Sequence, residues 1–383
     1  MTQLEIITQP LRIMQVDDFY PGYLDTFYKT HHGLSLRDSV EQGKALFNDA
    51  FSAIHAVVPY LQGDDLIAEY FVSGAKFLQM AWSKEHGITF PANDSWEMEM
   101  VRRRIEVFRP DVLYLANPIT YDARFLSTLT HKPRLILGWR AADIPCSTDW
   151  NGYDVILSGL PRLLALAKAL GAVDGVLFAP GMPIWIAETV ADISQDTDVC
   201  FVGSISPSQH VNRRALLDIV ARAAAKYGFS LALHLFCHPS LITPAMRPFL
   251  RQPVFGMEMH RALRRGRIVL DDRANHGFVL PDGTKKIDLG GSDTINMRLF
   301  EGTGGGSLLL TESLEGLSRF FEPEQEIITY RDPIELVQRI LYFLQKPEAR
   351  SAIASAGQRR CLTDHSMVNC SRRFLEIIRD HLS

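Results

Sequence analysis

Short apolar segments alternate with helical patterns along the first half of the chain. Apolar runs predict buried strands at 11–16, 67–72, 111–115, 134–139, 154–158 and 176–178. Apolar positions at helical spacing predict helices at 37–61, 94–108 and 161–170. Residues 17–23 carry acids and a glycine, which predicts a loop after the first strand. A regular strand–helix–strand succession is typical of a parallel sheet with helices on both faces.

The same alternation resumes after an interruption between Pro180 and Asp198. Two prolines and a glycine break the pattern at 180–183, and residues 188–198 are largely acidic and polar. Beyond them, strands are predicted at 199–204, 231–236, 267–270 and 307–310, and helices at 212–227, 257–265, 333–346 and 347–360. We therefore predict two doubly wound α/β domains, residues 1–186 and 187–365, followed by a last helix at 366–383.

A helix, a glycine run and a short strand follow one another near residue 300. Asn296–Glu301 has a helical pattern, residues 302–306 are mostly glycine, and 307–310 is mostly apolar. Because glycine supplies the left-handed residue that ends helices, we predict that Glu301 lies in the last turn. Ser292–Thr294 would cap the helix start and leave free N–H groups for a phosphate. Such a helix suits a nucleotide, with the diphosphate at its start and sugar hydroxyls at its acidic end.

Composition and charge narrow the class of protein. The 383 residues are 46% hydrophobic and 22% charged, as in ordinary globular proteins. The net charge of −4 provides no general attraction for nucleic acid, so no such partner is expected. The five cysteines are scattered, and neither a signal-peptide pattern nor an apolar run of membrane-spanning length is evident. We therefore expect a cytoplasmic protein with reduced thiols.

No pattern in the sequence predicts a cofactor or a metal, and we expect neither. The glycine run follows a helix and precedes a strand, which is the reverse of a dinucleotide-binding motif. His234, Cys237 and His238 lack an evident fourth zinc ligand. Asp271 and Asp272 are adjacent, without the D-x-D spacing of metal-dependent transferases.

One long stretch resembles a known family. The string NMRLFEGTGGGSLLLTE, with FFEPEQEIITYRDPIELVQRILYFLQKPEARSAIASAGQRR after it, resembles the C-terminal part of glycosyltransferases grouped with the CgeB-type spore-maturation proteins. These are similar in turn to the group 1-like enzymes of the GT-B fold that carry an E-x7-E pair. The resemblance covers roughly residues 198–370. It implies two Rossmann-like domains with an interdomain cleft, an N-terminal acceptor domain, a C-terminal nucleotide-sugar domain and a last helix that packs back on the N-terminal domain.

The resemblance also implies site residues. Glu301 matches the second acid of the pair, which holds the nucleotide ribose in these enzymes. Asp293 matches the first acid, which lies near the transferred sugar. Around the donor diphosphate we expect Gly203–Ser204 at a strand end, with Asn296 and Thr294 beside the helix start.

The departing diphosphate needs positive or N–H groups, and fixed groups of this kind can replace a metal. In enzymes with the E-x7-E pair, an Arg commonly follows the glycine and a Lys lies a few residues on. Here Ser204 and His210 stand at roughly those places. The cation is therefore expected from Arg213 or Arg265, and the sequence does not decide between them.

The acceptor side gives weaker signals. If transfer retains configuration, as the resemblance at Glu301 suggests, the leaving phosphate can take the acceptor proton. If transfer inverts it, Asp17 or His31 becomes the catalytic base, for which an imidazole is well suited. Trp139 could stack on a sugar face. Arg102–Arg104 could contact an anionic membrane peripherally or an acceptor, although a solvent-facing helix explains them as well.

These signals predict a metal-independent, retaining glycosyltransferase. It would move a sugar from a nucleoside diphosphate sugar to a glycan, a lipid carrier or a protein, as in cell-surface polysaccharide biosynthesis. One alternative is a nucleotide-sugar epimerase or hydrolase on the same fold, which would turn over the donor without an acceptor. Another is a non-catalytic structural or assembly protein, which would bind no nucleotide.

Overall fold

The computed structural model describes residues 9–291 and 295–382. Its strands are β1 (Leu11–Asp17), β2 (Leu66–Val72), β3 (Val112–Leu115), β4 (Leu135–Trp139), β5 (Ile144–Pro145), β6 (Val155–Ser158), β7 (Asp174–Leu177), β8 (Thr197–Ser204), β9 (Leu231–Phe236), β10 (Leu250–Arg251), β11 (Gly266–Leu270), β12 (Gly277–Val279), β13 (Lys285–Asp288), β14 (Leu308–Glu312) and β15 (Ile328–Tyr330). The predictions for Asp293 and Thr294 lie outside the described residues.

The α-helices cover most of the remaining chain. They are α1 (Pro21–Thr30), α2 (Ser39–Asn48), α3 (Lys76–Glu85), α4 (Trp96–Phe108), α5 (Ala123–Ser127), α6 (Pro161–Ala169), α7 (Ile184–Val190), α8 (Val211–Tyr227), α9 (Gly256–Arg265), α10 (Arg298–Gly304), α11 (Pro333–Gln345), α12 (Pro347–Asp364) and α13 (Met367–Leu382). Short 3₁₀ turns occur between several of these elements.

The N-terminal sheet is parallel, with the strand order β2-β1-β3-β4-β6-β7. Every residue of β3 and β6 is buried, as expected for strands covered on both faces. The order reverses between β1 and β3, and ligands bind outside the carboxyl ends of strands at such a reversal. The loop predicted at 17–23 is wrong in its second half, because α1 begins at Pro21, whose fixed φ suits a first helical position.

The C-terminal sheet is also parallel, with the order β10-β9-β8-β11-β14-β15. This is the 3-2-1-4-5-6 arrangement of dinucleotide-binding folds, whose reversal falls between the first and fourth strands. Here those strands are β8 and β11. Gly203–Ser204 ends β8 and Asp271 follows β11, so both lie at the reversal. The predicted α/β class with two doubly wound parallel sheets is confirmed.

Two further elements connect the domains. A small sheet of order β13-β12-β5 joins a hairpin from the C-terminal half to a strand from the N-terminal half. Helix α13 packs on the N-terminal sheet, where the Phe374 ring lies 5.0 Å from the Tyr114 ring of β3. The domain boundary predicted between residues 186 and 187 falls inside α7, whose buried residues pack with α9 and α10 of the C-terminal half.

The helix predicted at 37–61 is shorter than expected. Helix α2 ends at Asn48, and Ala50 and Ser52 then adopt positive φ values of 63° and 57°, which a right-handed helix does not admit. The cause is tertiary. At Gly256, which opens α9, an added Cβ would lie 2.4 Å from the Asp49 carbonyl oxygen, so this segment docks closely on the C-terminal half.

The prediction that glycines end the helix at Glu301 is wrong. Helix α10 runs through Gly302 and Gly304, and the left-handed residue that follows it is Gly306, with φ 79°. Both helical glycines serve close packing. An added Cβ would lie 2.8 Å from Leu309 at Gly302 and 2.6 Å from Met182 at Gly304. Glu301 therefore lies in the first turn, where the helix dipole favours a carboxylate.

Candidate active site

A cleft lies between the carboxyl edges of the two sheets. It contains a cavity of about 1140 Å³, hereafter the large cavity, lined by residues of both domains. Its wall includes Trp139 and Arg140 from the N-terminal domain and Gly203, Ser204 and Glu301 from the C-terminal domain. Because both strand-order reversals open towards it, the fold itself places the ligand site here.

A second, smaller cavity of about 210 Å³ adjoins the first. It is lined on one side by Tyr20 and Phe51 and on the other by Phe236, Phe255 and Arg298, among others. Tyr20, Phe236 and Arg298 line both cavities, as do Gly203, Ser204 and Glu301. The two spaces therefore share the walls at which the predicted donor residues meet.

Glu301 lines both cavities although only 7% of it is exposed. Its Oε2 lies 2.9 Å from Nη1 of Arg298, one turn earlier on α10. Arg298 also donates from Nη2 to the Val202 carbonyl at 2.9 Å, which fixes the pair against β8. Burial raises the pKa of Glu301, while the Arg298 guanidinium opposes that rise. The carboxylate is thus held in a buried part of the cleft wall.

Asn296 and Asp271 form a second fixed unit. The Asn296 amide donates to both oxygens of the Asp271 carboxylate at 2.9 and 2.8 Å, and Thr311 Oγ1 donates to the same carboxylate at 2.8 Å. The Asn296 Oδ1 accepts the N–H of Arg298 at 2.9 Å, at the start of α10. Asn296 thus lies on the wall of the large cavity, and its amide donates to Asp271, whose place in the cleft the sequence did not indicate.

Arg213 lines the large cavity, but its guanidinium is already engaged. It donates from Nη1 to the Ser204 carbonyl at 2.8 Å and from Nη2 to the Asp272 carbonyl, and it lies over the Phe201 ring. Burial raises the pKa of Asp272 to about 6, and the nearby Arg213 charge opposes that rise. Arg213 thus holds the carboxyl ends of β8 and β11 together through its hydrogen bonds.

His210 offers a polar N–H beside these strand ends. Its Nδ1 accepts the N–H of Ser206 at 3.1 Å, so in the neutral ring the proton is on Nε2. Burial, followed by the Arg213 charge, lowers the pKa of His210 to about 4. Because this pKa is about 4, the ring is neutral near pH 7. The ring also lines the large cavity.

The structure does not bring Arg265 to the predicted donor site. This residue is the exposed end of α9, and β11 begins at the next residue, Gly266. Arg265 therefore lies at the amino end of β11, while Asp271 and the cleft lie at its carboxyl end. It is not among the described residues that line either cavity.

The predicted bases are also away from the cavity walls. His31 is exposed at the end of α1, with Nδ1 2.8 Å from the Phe27 carbonyl oxygen. Asp17 is buried and accepts a hydrogen bond from Tyr70 Oη at 3.0 Å. Burial raises the pKa of Asp17 to about 7, although the Tyr70 hydrogen bond acts in the opposite direction. Neither side chain is among the described cavity-lining residues, so the structure does not bring either of them to the cleft.

His55 is a cleft residue that the sequence did not reveal. Its ring lies 4.7 Å from the Trp139 ring, and its Nε2 lies 2.9 Å from Sδ of Met297 in the other domain. Burial lowers the pKa of His55 to about 4, so the ring is neutral. The periodicity of residues 37–61 predicted that His55 lies in a helix, and it did not indicate that the side chain reaches the cleft.

The described residues give no cluster suited to a metal. Within residues 9–291 and 295–382, no group of three or more His, Cys, Asp or Glu side chains could hold a metal ion. His234 lines the small cavity, while Cys237 and His238 line the large one.

Among the helices within residues 9–291 and 295–382, none has both the length and the apolar character needed to cross a membrane.

Two Rossmann-like domains that face each other across a cleft define the GT-B fold, and comparison with known proteins agrees. Residues 213–376 match the family model described as Glycosyl transferase-like. No curated protein matches the sequence significantly. These findings show that the chain has the GT-B fold and that residues 213–376, in its C-terminal half, match the Glycosyl transferase-like family model.

Solved structures with the same fold are distant in sequence. A glycosyltransferase from Rickettsia africae is 10% identical with a TM-score of 0.58, covering 98% of this chain and 100% of that one. HepE from Anabaena, in complex with UDP and glucose, is 12% identical with a TM-score of 0.57, covering 97% and 100%. A TarM variant from S. aureus, in complex with Fondaparinux, alpha-GlcNAc-glycerol and UDP, is 10% identical with a TM-score of 0.52, covering 75% and 59%.

Proposed function

We propose that the protein transfers a sugar from a nucleoside diphosphate sugar to a saccharide, lipid-carrier or protein acceptor, with retention of configuration and without a metal. The observation that carries this proposal is the position of Glu301. It is a buried carboxylate in the first turn of α10, it pairs with Arg298, which donates to the Val202 carbonyl of β8, and it forms part of both cavity walls. A carboxylate so placed can accept two hydrogen bonds from the vicinal hydroxyls of a ribose.

The groups around Glu301 suit the rest of a nucleotide. Gly203 and Ser204 end β8 beside it and allow a diphosphate to approach the backbone. An added Cβ at Gly203 would lie 3.1 Å from the Phe201 ring, which favours the bare backbone at this position. His210 Nε2–H supplies a fixed donor for the charge that develops on the leaving group. UDP in the HepE and TarM complexes supports a uridine nucleotide as the first donor to test.

The positions of the two bases predicted for an inverting transfer support retention. An inverting enzyme needs a base beside the acceptor, and neither Asp17 nor His31 lies on a cavity wall. In the retaining reaction the departing phosphate oxygen takes the acceptor proton on the same face of the sugar. We place the acceptor in the part of the large cavity lined by Trp139 and Arg140, where an indole can stack on a sugar ring.

Calorimetry with a panel of UDP, dTDP, GDP, ADP and CDP tests the donor site. We expect one nucleotide to bind, and Glu301→Gln to weaken it about tenfold or more because a charge-assisted hydrogen bond is lost. Glu376→Gln, on the exposed face of α13, is the matched control and should bind normally. Equal affinity in folded Glu301→Gln would remove the ribose role.

The reaction itself is tested by NMR of the product. The anomeric proton should show the configuration of the donor sugar, and added EDTA should leave the rate unchanged. An inverted product, or a rate that depends on a divalent cation, would contradict the corresponding part of the proposal. Donor turnover at full rate without any acceptor would favour an epimerase or a hydrolase.

A further inference from the structure

Four aromatic side chains from two domains surround the small cavity. Tyr20 and Phe51 come from the N-terminal domain, and Phe236 and Phe255 come from the C-terminal domain. Tyr20 is 63% exposed and Phe236 is 57% exposed. Glu301 belongs to the same wall. Large apolar rings left open beside a buried carboxylate are suited to a ligand that has both a planar ring and hydroxyl groups.

The N-terminal part of this aromatic wall is held rigidly. Phe51 lies between two residues in the left-handed region, Ala50 and Ser52, and such strain persists only where surrounding contacts enforce it. Its ring stacks on Tyr23, with centroids 4.0 Å apart and planes at 16°. Tyr23 in turn donates from Oη to Asp49 Oδ2 at 2.5 Å. The Phe51 ring is therefore fixed before any ligand arrives.

The same segment fits closely against the C-terminal domain. Gly256 has φ 56°, and an added Cβ would lie 2.4 Å from the Asp49 carbonyl oxygen, so only glycine is tolerated there. The Phe51 and Phe255 rings are 6.1 Å apart across the domain interface. Tyr20 extends the wall, with its ring 5.5 Å from Phe51. The small cavity thus exists only while the two domains are together.

We infer that the N-terminal domain completes the nucleoside site, with Tyr20 and Phe51 supplying an aromatic wall for the nucleobase while Glu301 holds the ribose. The inference rests on the proposed function and adds a contribution from the domain otherwise assigned to the acceptor. Stacking accepts any base, so these rings provide affinity and leave the choice of base to other groups. Because the site spans both domains, nucleotide binding and domain association strengthen each other.

Calorimetry on the full chain tests this inference, with the best-binding nucleoside diphosphate of the panel and with inorganic pyrophosphate as probes. Tyr20→Ala should weaken the nucleotide by about 5- to 50-fold, as for loss of one stacking partner, and should leave pyrophosphate affinity unchanged. Phe77→Ala, a similarly exposed ring outside both cavities, is the matched control and should bind both probes normally. Phe51→Leu keeps an apolar side chain in the cluster and should also weaken only the nucleotide.

The outcomes separate this inference from the proposed function. A wild-type protein that binds no nucleoside diphosphate would overturn both. If the wild type binds and Tyr20→Ala and Phe51→Leu bind within twofold of it, the donor site stands and the aromatic wall does not serve the base. Equal weakening of nucleotide and pyrophosphate would show a structural role and also overturn the inference. An increase in acceptor KM alone would assign Tyr20 to the acceptor.

Discussion

The carboxyl edges of the two parallel sheets face the same cleft but are built differently. On the C-terminal edge, polar side chains bind one another: Asp271 accepts from Asn296 and Thr311, and Arg298 pairs with Glu301. On the N-terminal edge, Asp17 is buried with a pKa raised by burial to about 7. The cleft face on that side is formed largely by apolar and aromatic groups.

The difference shows how one topology supports two tasks. Charged groups that hold each other in place are suited to a ligand of fixed charge, because no reorganisation is needed when it binds. Aromatic groups are suited to planar rings and sugar faces, for which contact area matters more than charge. The fold places the carboxyl edges of both sheets at one cleft, and the side chains on each edge determine which kind of ligand that edge suits.

The largest predicted effect breaks the charged pair on the C-terminal edge. Arg298→Met leaves Glu301 buried without its cation and the Val202 carbonyl without a donor. We expect the free energy of unfolding in urea to fall by about 3–5 kcal/mol. Arg222→Met removes an exposed pair with Asp218 and should cost less than about 1 kcal/mol.

The double variant separates stability from binding at this pair. Arg298→Met with Glu301→Gln removes the uncompensated charge and should regain most of the lost stability. It should not regain nucleotide affinity, because the ribose carboxylate is absent. A double variant no more stable than Arg298→Met would mean that the single loss came from packing.

An intermediate effect is expected at the N-terminal edge. The Asp17 carboxyl has a pKa of about 7 when folded against 3.8 in the unfolded chain, so the folded state keeps the proton between these values. Its contribution to stability is complete below about pH 4 and is lost as the pH rises through 7. From pH 5 to pH 8, the free energy of unfolding should fall by about 2 kcal/mol more in the wild type than in Asp17→Asn.

Urea unfolding at both pH values measures this difference. Asp25→Asn, on the exposed side of α1, is the matched control and should keep the wild-type slope. Identical slopes in the wild type and Asp17→Asn would show that Asp17 is ionised in the folded protein at pH 5, and the contrast between the two edges would weaken.

The smallest effect is expected at the opposite end of the C-terminal sheet. Arg265→Ala should change nucleotide affinity less than about twofold, because the side chain lies at the amino end of β11. Calorimetry with the best-binding nucleotide measures it. A fivefold loss of nucleotide affinity would mean that the donor site reaches the amino end of β11.

The sequence predicted the two sheets because buried parallel strands appear as short apolar runs, which do not depend on distant contacts. It also brought Asn296 to the helix start and Gly203–Ser204 to the strand end, whereas Glu301 was assigned to the right helix but to its wrong end. The roles of these residues as donor groups remain predictions. Arg265 lies away from the cleft because it ends α9 and the chain enters β11 at the next residue, whereas the cleft is at the carboxyl end of that strand. The engagement of Arg213 by backbone carbonyls depended on β8 and β11 meeting, which the sequence does not show.

The N-terminal site was harder to predict for a physical reason. The helical periodicity of residues 37–61 hid a break at Ala50 and Ser52, where the chain packs closely against Gly256 of the C-terminal domain. His55 and Phe51 reach the cleft through that break. The glycines after Glu301 were misinterpreted for a similar reason. Gly302 and Gly304 leave room for the side chains of Leu309 and Met182, and the sequence does not show that these side chains pack there.

The small sheet that joins β5 to the β12–β13 hairpin constrains how the molecule can move. The N–H of Cys146 donates to the Val279 carbonyl at 2.8 Å, and Asp143 accepts from Gly277 N–H at 2.7 Å and from Gln209 at 2.8 Å. A domain motion that keeps these bonds must be a rotation of one domain relative to the other, with this small sheet as its hinge. In such a motion the contact between Phe51 and Phe255, which joins the two domains elsewhere, should separate more than the small sheet does.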